Sequence, residues 1–274
     1  MTLSAIDADY LRGVVRRVSG NHVDPTRDYL FESRLQRVLR NKGMHSLDQL
    51  IVALRAEVGS ALRHSVAEAM TINETSFFRD TASFDLLRDE LLPALVAARA
   101  GSRVLRIWSA ASSSGQEAYS IAMLLREHFP SLAAWRVEIF GTDLSAEMVD
   151  RARAGRYQRI EVNRGLPARL LLKHFVRVDD EWEVASDIRR VCHFQQRNLC
   201  DALPIGEPFD IILLRNVMIY FPEETRRKVL LAMHRSLAPD GALLLGMSEQ
   251  PRMDSHWDTI LTPKSVWYRP VRVS

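Results

Sequence analysis

The sequence VLRIWSAASSSGQEAYS, residues 104–120, decides the fold. Its first five residues are mostly apolar and rich in β-branched and aromatic side chains, which is typical of a buried strand. The smallest side chains fill residues 109–115, and apolar residues recur at helical spacing after Gln116. A strand, a small-residue turn and a helix open a nucleotide-type α/β fold, in which backbone amides at the helix N-terminus approach the ligand.

The same turn favours one class of ligand over another. A loop that binds a dinucleotide pyrophosphate usually carries three glycines, whereas this turn has only Gly115, and Glu117 follows it. A carboxylate repels a pyrophosphate and attracts a cation. S-adenosylmethionine carries a sulfonium and an ammonium but no phosphate. Two interpretations stay open on this turn alone, because an acid in the first turn of a helix is also favoured by the helix dipole.

A second strand, residues 137–143, ends in Asp143 and is followed by Ser145, a typical N-cap residue. An acid at the end of the second strand is where such folds bind ribose hydroxyls. A solvated acid in a turn is the ordinary alternative. The two features together favour a nucleoside site.

Composition excludes several classes of protein. The 274 residues suffice for one large domain and a small one, and the 47% hydrophobic and 26% charged content is ordinary for a globular protein. The sequence contains no membrane-length apolar run and no signal-peptide pattern, and its two cysteines make neither a disulfide framework nor a zinc site. We therefore expect a cytoplasmic protein without a metal. The net charge of +3 permits an acidic partner without requiring nucleic acid.

The first part of the chain predicts a separate helical domain. Residues 1–90 contain helical patterns only, including a helix from Thr26 to Lys42 that carries Arg34, Arg37 and Arg40 on or near one face. This basic face is either a solvated surface or a docking surface for an acidic partner. Residues 91–274 then form the α/β domain, with a small antiparallel insertion at about 156–190 that contains a hairpin around Asp179 and Asp180.

Later segments complete the expected sheet. Residues 209–214 are apolar except for Asp210, which is typical of a central buried strand, and polar residues follow at 215 and 216. Residues 265–273 are expected to form a final edge strand.

A short segment before the α/β domain, TINETSFFRD at residues 71–80, combines several groups that could bind a ligand. Asn73 and Thr75 can form hydrogen bonds, and Arg79 can hold a carboxylate in its planar fork. The alternative is a helix cap at Asn73 or Thr75 followed by core phenylalanines.

Five ordered motifs carry a family resemblance: NETSFFRD (73–80), IWSAASSSGQEAYS (107–120), GTDLS (141–145), RNVMIYF (215–221) and GMSE (246–249). Together they resemble the CheR-type chemotaxis receptor methyltransferases, which form glutamyl methyl esters from S-adenosylmethionine. The resemblance implies a Rossmann-like methyltransferase sheet with helices on both faces, an N-terminal helical receptor-docking domain and a small β insertion.

The resemblance also implies roles for individual residues. It assigns the cofactor to Asn73, Thr75, Arg79, Glu117, Asp143, Asn198, Leu199, Arg215 and Asn216. Arg79 and Tyr220 would lie nearest the transferred methyl, and Arg34, Arg37 and Arg40 would dock the substrate, the helical bundle of a methyl-accepting chemoreceptor. The protein is expected to act as a monomer, without nucleic acid or membrane insertion.

One departure from the family concerns the hairpin near Asp179. Relatives that tether to a C-terminal receptor peptide tend to carry a glycine-rich insertion there, and this chain has none. We therefore expect recognition that does not depend on the tether. Two other classes remain: a nucleic-acid methyltransferase that uses the basic helix, and a non-catalytic module that only binds the cofactor.

Overall fold

The computed structural model describes residues 3–56, 61–201, 206–251 and 255–271. The chain forms two compact units. One comprises Met1–Ile72 with Tyr220–Arg226, and the other comprises Asn73–Ile219 with Arg227–Ser274. The sequence predicts the boundary near residue 90, whereas the compact units divide after Ile72.

The first unit is helical and has its own apolar core. Leu11, Phe31, Leu50 and Val66 are fully buried in it. Its helices are α1 (Ala5–Ser19), α2 (Tyr29–Arg34), α3 (Gln36–Asn41), α4 (Leu47–Ala56) and α5 (Ala61–Ala69). Ser4 caps α1, and a left-handed Gly20 ends it.

The predicted helix from Thr26 to Lys42 is interrupted. A 3₁₀ turn covers Pro25–Arg27, and α2 and α3 meet at Leu35, whose ψ of −7° departs from helical geometry. Leu35 is fully buried. The basic residues are therefore divided between two short helices, with Arg34 at the end of α2 and the other two in α3.

The second unit is built on a mixed sheet in the order β6-β2-β1-β7-β8-β10-β9. Its strands are β1 (Val104–Ala110), β2 (Arg136–Asp143), β6 (Cys192–Gln196), β7 (Phe209–Leu214), β8 (Leu237–Leu245), β9 (Trp257–Leu261) and β10 (Val266–Pro270). The pairs β6-β2, β2-β1, β1-β7 and β7-β8 are parallel, whereas β10 pairs antiparallel with β8 and β9. The expectation that the last strand forms the edge is wrong, because β9 lies outside β10.

The helices of the second unit begin with α6 (Thr81–Leu86), which continues through a π-helical turn, Leu87–Leu91, into α7 (Leu92–Ala98). The others are α8 (Gln116–His128), α9 (Ala146–Ala154), α10 (Arg159–Val162), α11 (Ala168–His174), α12 (Ser186–Arg189) and α13 (Glu223–Ser236). Short 3₁₀ turns cover Pro130–Ala134 and Met218–Tyr220. Among the described helices, none is long and apolar enough to cross a membrane.

The predicted insertion is confirmed as a small antiparallel sheet in the order β3-β5-β4. The hairpin consists of β4 (Phe175–Val178) and β5 (Glu181–Val184), and β3 (Arg156–Gln158) adds a strand that the sequence did not indicate. Tyr157 is fully buried, and its hydroxyl donates to the carbonyl of Ser114 at 2.6 Å. The insertion therefore supports the turn that follows β1.

Strand order places a crevice at one position of the sheet. The chain proceeds from β1 to β2 and β6 on one side, and β7 and β8 lie on the other. The direction of winding therefore reverses between β1 and β7. Open α/β sheets bind ligands at such a point, beyond the carboxyl ends of the strands.

Candidate active site

The turn after β1 has an unusual backbone. Ala111, Ser113 and Gly115 all have positive φ, at 64°, 49° and 94°. Residues other than glycine rarely adopt this region, and such strain clusters at functional sites. The turn is held from two sides, since the Ser113 amide donates to Asp143 Oδ2 at 2.8 Å and its hydroxyl donates to the Asn73 carbonyl at 2.7 Å. Two other segments of the chain therefore hold the turn in this conformation.

Asp143 lies at the carboxyl end of β2 and is only 8% exposed. Its Oδ1 accepts the Ser145 amide at 2.9 Å, while Oδ2 accepts that of Ser113. Burial raises the pKa of Asp143, and the backbone donors oppose that rise. An ionised carboxylate offers about four lone-pair positions. Asp143 therefore keeps acceptor capacity for a ligand hydroxyl while it shapes the turn.

Glu117, in the first turn of α8, is engaged at both oxygens. Ser109 Oγ donates to Oε1 at 2.7 Å, and Arg215 Nη1 donates to Oε2 at 2.8 Å. The side chains of Glu117 and Arg215 are 14% and 2% exposed. Because Arg215 directly follows β7, this ion pair bridges the crevice between β1 and β7.

Arg215 also reaches the segment that precedes α6. Its Nη2 donates to the Arg79 carbonyl at 2.6 Å and to Asp80 Oδ2 at 2.9 Å. Its Nε is buried without a partner among the described residues. The resemblance assigns Arg215 to the cofactor, and in the structure its Nη1 and Nη2 atoms bond to protein groups. Arg215 therefore sets the positions of Glu117 and of the Arg79 backbone.

The segment from Asn73 to Asp80 has no regular secondary structure, and α6 begins only at Thr81. The helix-cap interpretation of Asn73 and Thr75 is therefore wrong, although Phe77 is a fully buried core residue. Arg79 is half-buried, and its Nη1 donates to the Glu74 carbonyl at 3.0 Å. Within the described ranges this is the one hydrogen bond found for its guanidinium, so most of its donors are available to a ligand.

The remaining predicted cofactor residues follow β6 and β7. Asn198 is half-buried and accepts the Cys200 amide through Oδ1 at 3.0 Å, and Leu199 is buried. Asn216 is half-buried with a φ of +59°. The carboxyl ends of the parallel strands thus bring Glu117, Asp143 and Asn216 to the same edge of the sheet.

The residues predicted to act from elsewhere belong to the helical unit. Tyr220 is half-buried at the end of a 3₁₀ turn, and its carbonyl accepts the His22 amide at 2.8 Å. Arg34 Nη1 donates to the carbonyls of Met70 and Thr71 at 3.0 and 3.1 Å, so this side chain stabilises the backbone that directly follows α5. Arg37 and Arg40 are exposed.

Sequence reasoning assigned no role to two acids of this region. Asp80 is a partner of Arg215, and Glu249, which follows β8, is 6% exposed and bonded to the loop after β7. The motifs that contain these acids are visible in the sequence, but their partners lie far away along the chain. Among the described residues, no group of His, Cys, Asp and Glu could hold a metal ion.

Comparison with known proteins identifies the family. A model of CheR methyltransferases, described as their SAM-binding domain, matches residues 73–266, and this match begins where the second unit begins. Chemotaxis protein methyltransferase 1 of Pseudomonas aeruginosa is 38% identical over 275 residues, which cover 97% of this chain and 99% of that protein. The chemotaxis protein methyltransferase of Vibrio parahaemolyticus is 42% identical over 228 residues, or 82% of each chain. That of Borreliella burgdorferi is 33% identical over 264 residues, or 93% of each. The chain belongs to the CheR methyltransferase family, and it is an S-adenosylmethionine-dependent methyltransferase.

Proposed function

We propose that this enzyme transfers a methyl group from S-adenosylmethionine to glutamate side chains in the cytoplasmic part of chemoreceptors, where it forms glutamyl methyl esters. The observation that carries the proposal is the buried network around Arg215. This network holds the Glu117 carboxylate and the Arg79 backbone in fixed positions at the crevice. The chain that carries it is similar over its length to chemotaxis protein methyltransferases.

The groups at the carboxyl edge of the sheet fit S-adenosylmethionine. Asp143 retains acceptor positions for ribose hydroxyls, and Glu117 supplies negative charge for a cationic ligand. Ser112 Oγ is buried in the same turn without a partner among the described residues. Buried polar atoms are usually hydrogen-bonded, so this hydroxyl is a candidate to bond the ligand. When bound, the cofactor supplies an electrophilic methyl group on a positively charged sulfur.

The substrate carboxylate needs no activation. A glutamate side chain has an ordinary pKa of about 4.3, so it is ionised at neutral pH and already nucleophilic. A bond forms between a carboxylate oxygen and the methyl carbon as the carbon–sulfur bond breaks, and no proton moves. The enzyme has to align the two partners and exclude water.

Two residues are proposed to perform this alignment. Arg79 orients the incoming carboxylate with those guanidinium donors that are not directed to Glu74. Tyr220 forms a hydrogen bond near the transferred methyl, as the family resemblance implies. Because neither residue has to remove a proton, a catalytic base is not part of the proposal.

Receptor recognition is proposed to use the exposed Arg37 and Arg40, which complement an acidic helical bundle. The turn between β4 and β5 contains only Asp179 and Asp180, without a glycine-rich insertion. We therefore propose recognition that is independent of a C-terminal receptor peptide, by a monomeric enzyme. Receptors with and without that peptide should be methylated at the same rate.

The experiment uses methyl-labelled S-adenosylmethionine and membranes that contain chemoreceptors. Methyl esters release volatile methanol in mild base, whereas methyl groups on amines and on nucleic acids survive. We expect base-labile label on the receptor. Label that is stable to base, or a steep salt dependence of nucleic-acid binding, would indicate a different methyltransferase class.

Arg79→Ala tests the proposed orientation, with Arg164→Ala as a matched control. Both arginines contact Glu74, but Arg164 does so through an exposed side-chain ion pair. Arg79→Ala should lower kcat by at least about 100-fold while affinity for S-adenosylhomocysteine changes much less. The Arg164→Ala protein should retain wild-type kcat. Normal kcat in Arg79→Ala would contradict the assignment.

A further inference from the structure

Glu249 is a buried carboxylate that receives three backbone N–H groups from two loops. Its Oε2 accepts the amides of Gly246 and Asn216, both at 2.8 Å, and its Oε1 accepts the amide of Ile219 at 3.2 Å. Gly246 follows β8, and the other two donors follow β7. These strands are parallel neighbours, so Glu249 joins the two loops at the carboxyl edge that carries the site.

Gly246 provides the space for this arrangement. A Cβ at this position would lie 2.6 Å from Glu249 Oε2 and 2.9 Å from the Asn216 backbone nitrogen. Real Cβ atoms essentially never approach other atoms so closely. The close approach of the two loops therefore requires glycine at residue 246 and an acceptor at residue 249.

Asn216 is the site residue that this arrangement holds. Its φ of +59° lies in the left-handed region, which Asn tolerates better than most residues but which still needs support. Glu249 supplies that support by accepting the Asn216 amide. The Asn216 side-chain amide makes no hydrogen bond to any part of the chain that the structure describes, so it is available to a ligand.

We propose that Glu249 is a positioning residue for the methyltransferase site. It fixes the backbone of Asn216, through which the Asn216 side chain is presented to the cofactor, and it fixes Ile219, the residue immediately before Tyr220. Glu249 touches no ligand and acts through these backbone groups. This inference rests on the proposed function, because it concerns the same site.

Two substitutions separate the contributions of the carboxylate. Glu249→Gln retains a carbonyl oxygen that can accept the Gly246 and Asn216 amides, but it turns an NH₂ group toward the amide of Ile219. Glu249→Ala leaves all three donors without an acceptor. We expect affinity for S-adenosylhomocysteine and kcat to fall by up to about 100-fold in Glu249→Ala and by less in Glu249→Gln.

A matched control distinguishes positioning from general stability. Glu127 is a half-buried glutamate whose side chain is only 7% exposed and is paired with Lys173 and His174, but it lies at the end of α8 away from the two loops. Glu127→Gln should lower Tm and leave both the Kd for S-adenosylhomocysteine and kcat at the wild-type values. If Glu249→Ala and Glu249→Gln likewise lower only Tm, Glu249 is a structural clamp and the proposal is wrong.

A double substitution tests whether Glu249 acts through Asn216. Asn216→Gly removes the side chain and allows a positive φ at no steric cost. In that background, Glu249→Gln should change the Kd for S-adenosylhomocysteine by less than about 2-fold, because coupled residues are not additive. Full additivity would overturn the proposed route through Asn216.

The binding measurement keeps this inference separable from the proposed function. Titration of S-adenosylhomocysteine by calorimetry involves no receptor. If the wild-type enzyme methylates no chemoreceptor while Glu249→Gln still weakens this binding, the positioning role holds and the substrate assignment fails. If receptors are methylated at the same kcat by wild-type and Glu249→Gln enzymes of equal affinity, the positioning role fails alone.

Discussion

Replacement of Arg215 by alanine tests whether the buried ion pair holds the site together. The substitution removes hydrogen bonds to Glu117, to Asp80 and to the Arg79 carbonyl, at 2.6 to 2.9 Å. It leaves two carboxylates without their cationic partner in a region where the guanidinium was 2% exposed. Removal of one partner of a buried pair costs about 3 to 5 kcal/mol. We expect a loss of that size in the free energy of unfolding.

Arg215→Lys gives a graded version of the same test. Lysine keeps the positive charge, but its ammonium cannot reproduce the planar fork that serves Glu117 on one side and Arg79 and Asp80 on the other. At least one charged hydrogen bond is lost, which costs about 1.5 to 3 kcal/mol. The lysine variant should therefore lie between the wild-type and alanine proteins in stability.

Urea unfolding, followed by far-UV circular dichroism, measures these differences, and calorimetry with S-adenosylhomocysteine measures the effect on the site. Both variants should bind this ligand more weakly, in the same order as their stabilities. A loss below about 1 kcal/mol in Arg215→Ala, the range of an exposed ion pair, would refute the assignment of Arg215 as the centre of the network.

Four further outcomes follow from contacts elsewhere in the chain. Glu127→Gln should lower the free energy of unfolding at neutral pH. Cationic neighbours lower the pKa of Glu127 to about 2, so the stabilisation by the ionised carboxylate is lost when Glu127 is protonated. The difference in stability between Glu127→Gln and wild type should therefore vanish as the pH falls from about 4.3 toward about 2. Gly165→Ala should lower Tm sharply, since φ is +86° and a Cβ would lie 2.1 Å from the Phe77 carbonyl oxygen; the left-handed backbone alone costs about 1 to 2 kcal/mol. Arg34→Ala should cost about 1.5 to 3 kcal/mol of stability, because charged hydrogen bonds to two carbonyls are lost. Arg40→Ala should change stability by less than about 0.5 kcal/mol and raise the KM for receptor at low ionic strength.

Controls and contrary results are available for each of these. Gly101→Ala, where a Cβ meets nothing within 4 Å, is the control for Gly165→Ala and should leave Tm unchanged. A pH-independent difference between Glu127→Gln and wild type would show that Glu127 does not titrate as described. An Arg34→Ala protein as stable as wild type, or an Arg40→Ala protein with unchanged KM, would contradict the division of the basic residues into structural and docking roles.

The strands that form the centre of the sheet are predictable because apolar residues dominate or alternate in each short run. Residues 104–108, 137–143 and 209–214 were expected as strands and lie within β1, β2 and β7. Strand β9 escaped prediction because only its first residue, Trp257, is buried, so its burial shows no period of two. The edge assignment failed for the same reason, since an undetected strand lies outside β10.

Some residues of the candidate site could be predicted from the local sequence, whereas others could not. Glu117 and Asp143 were predictable because each directly follows a recognisable strand or turn, so local sequence places it at the carboxyl edge. The network of Arg215 was not predictable, because its partners are separated widely along the chain and periodicity carries no information on distant pairs. The charge and spacing of Arg34 place it with the docking residues, and only its bonds to the Met70 and Thr71 carbonyls set it apart.

The order of strands in the sheet has a consequence for synthesis of the protein on the ribosome. Strand β1 pairs with β2 on one side, but its other neighbour, β7, begins only at Phe209. One edge of β1 therefore stays without a partner while residues 111–208 are being made, and open strand edges favour aggregation. The contact between Glu117 and Arg215, and later that between Glu249 and Asn216, form only after those segments emerge. The nascent chain thus acquires its cofactor site only after β7, β8 and the loops that follow them have been made and have joined the sheet.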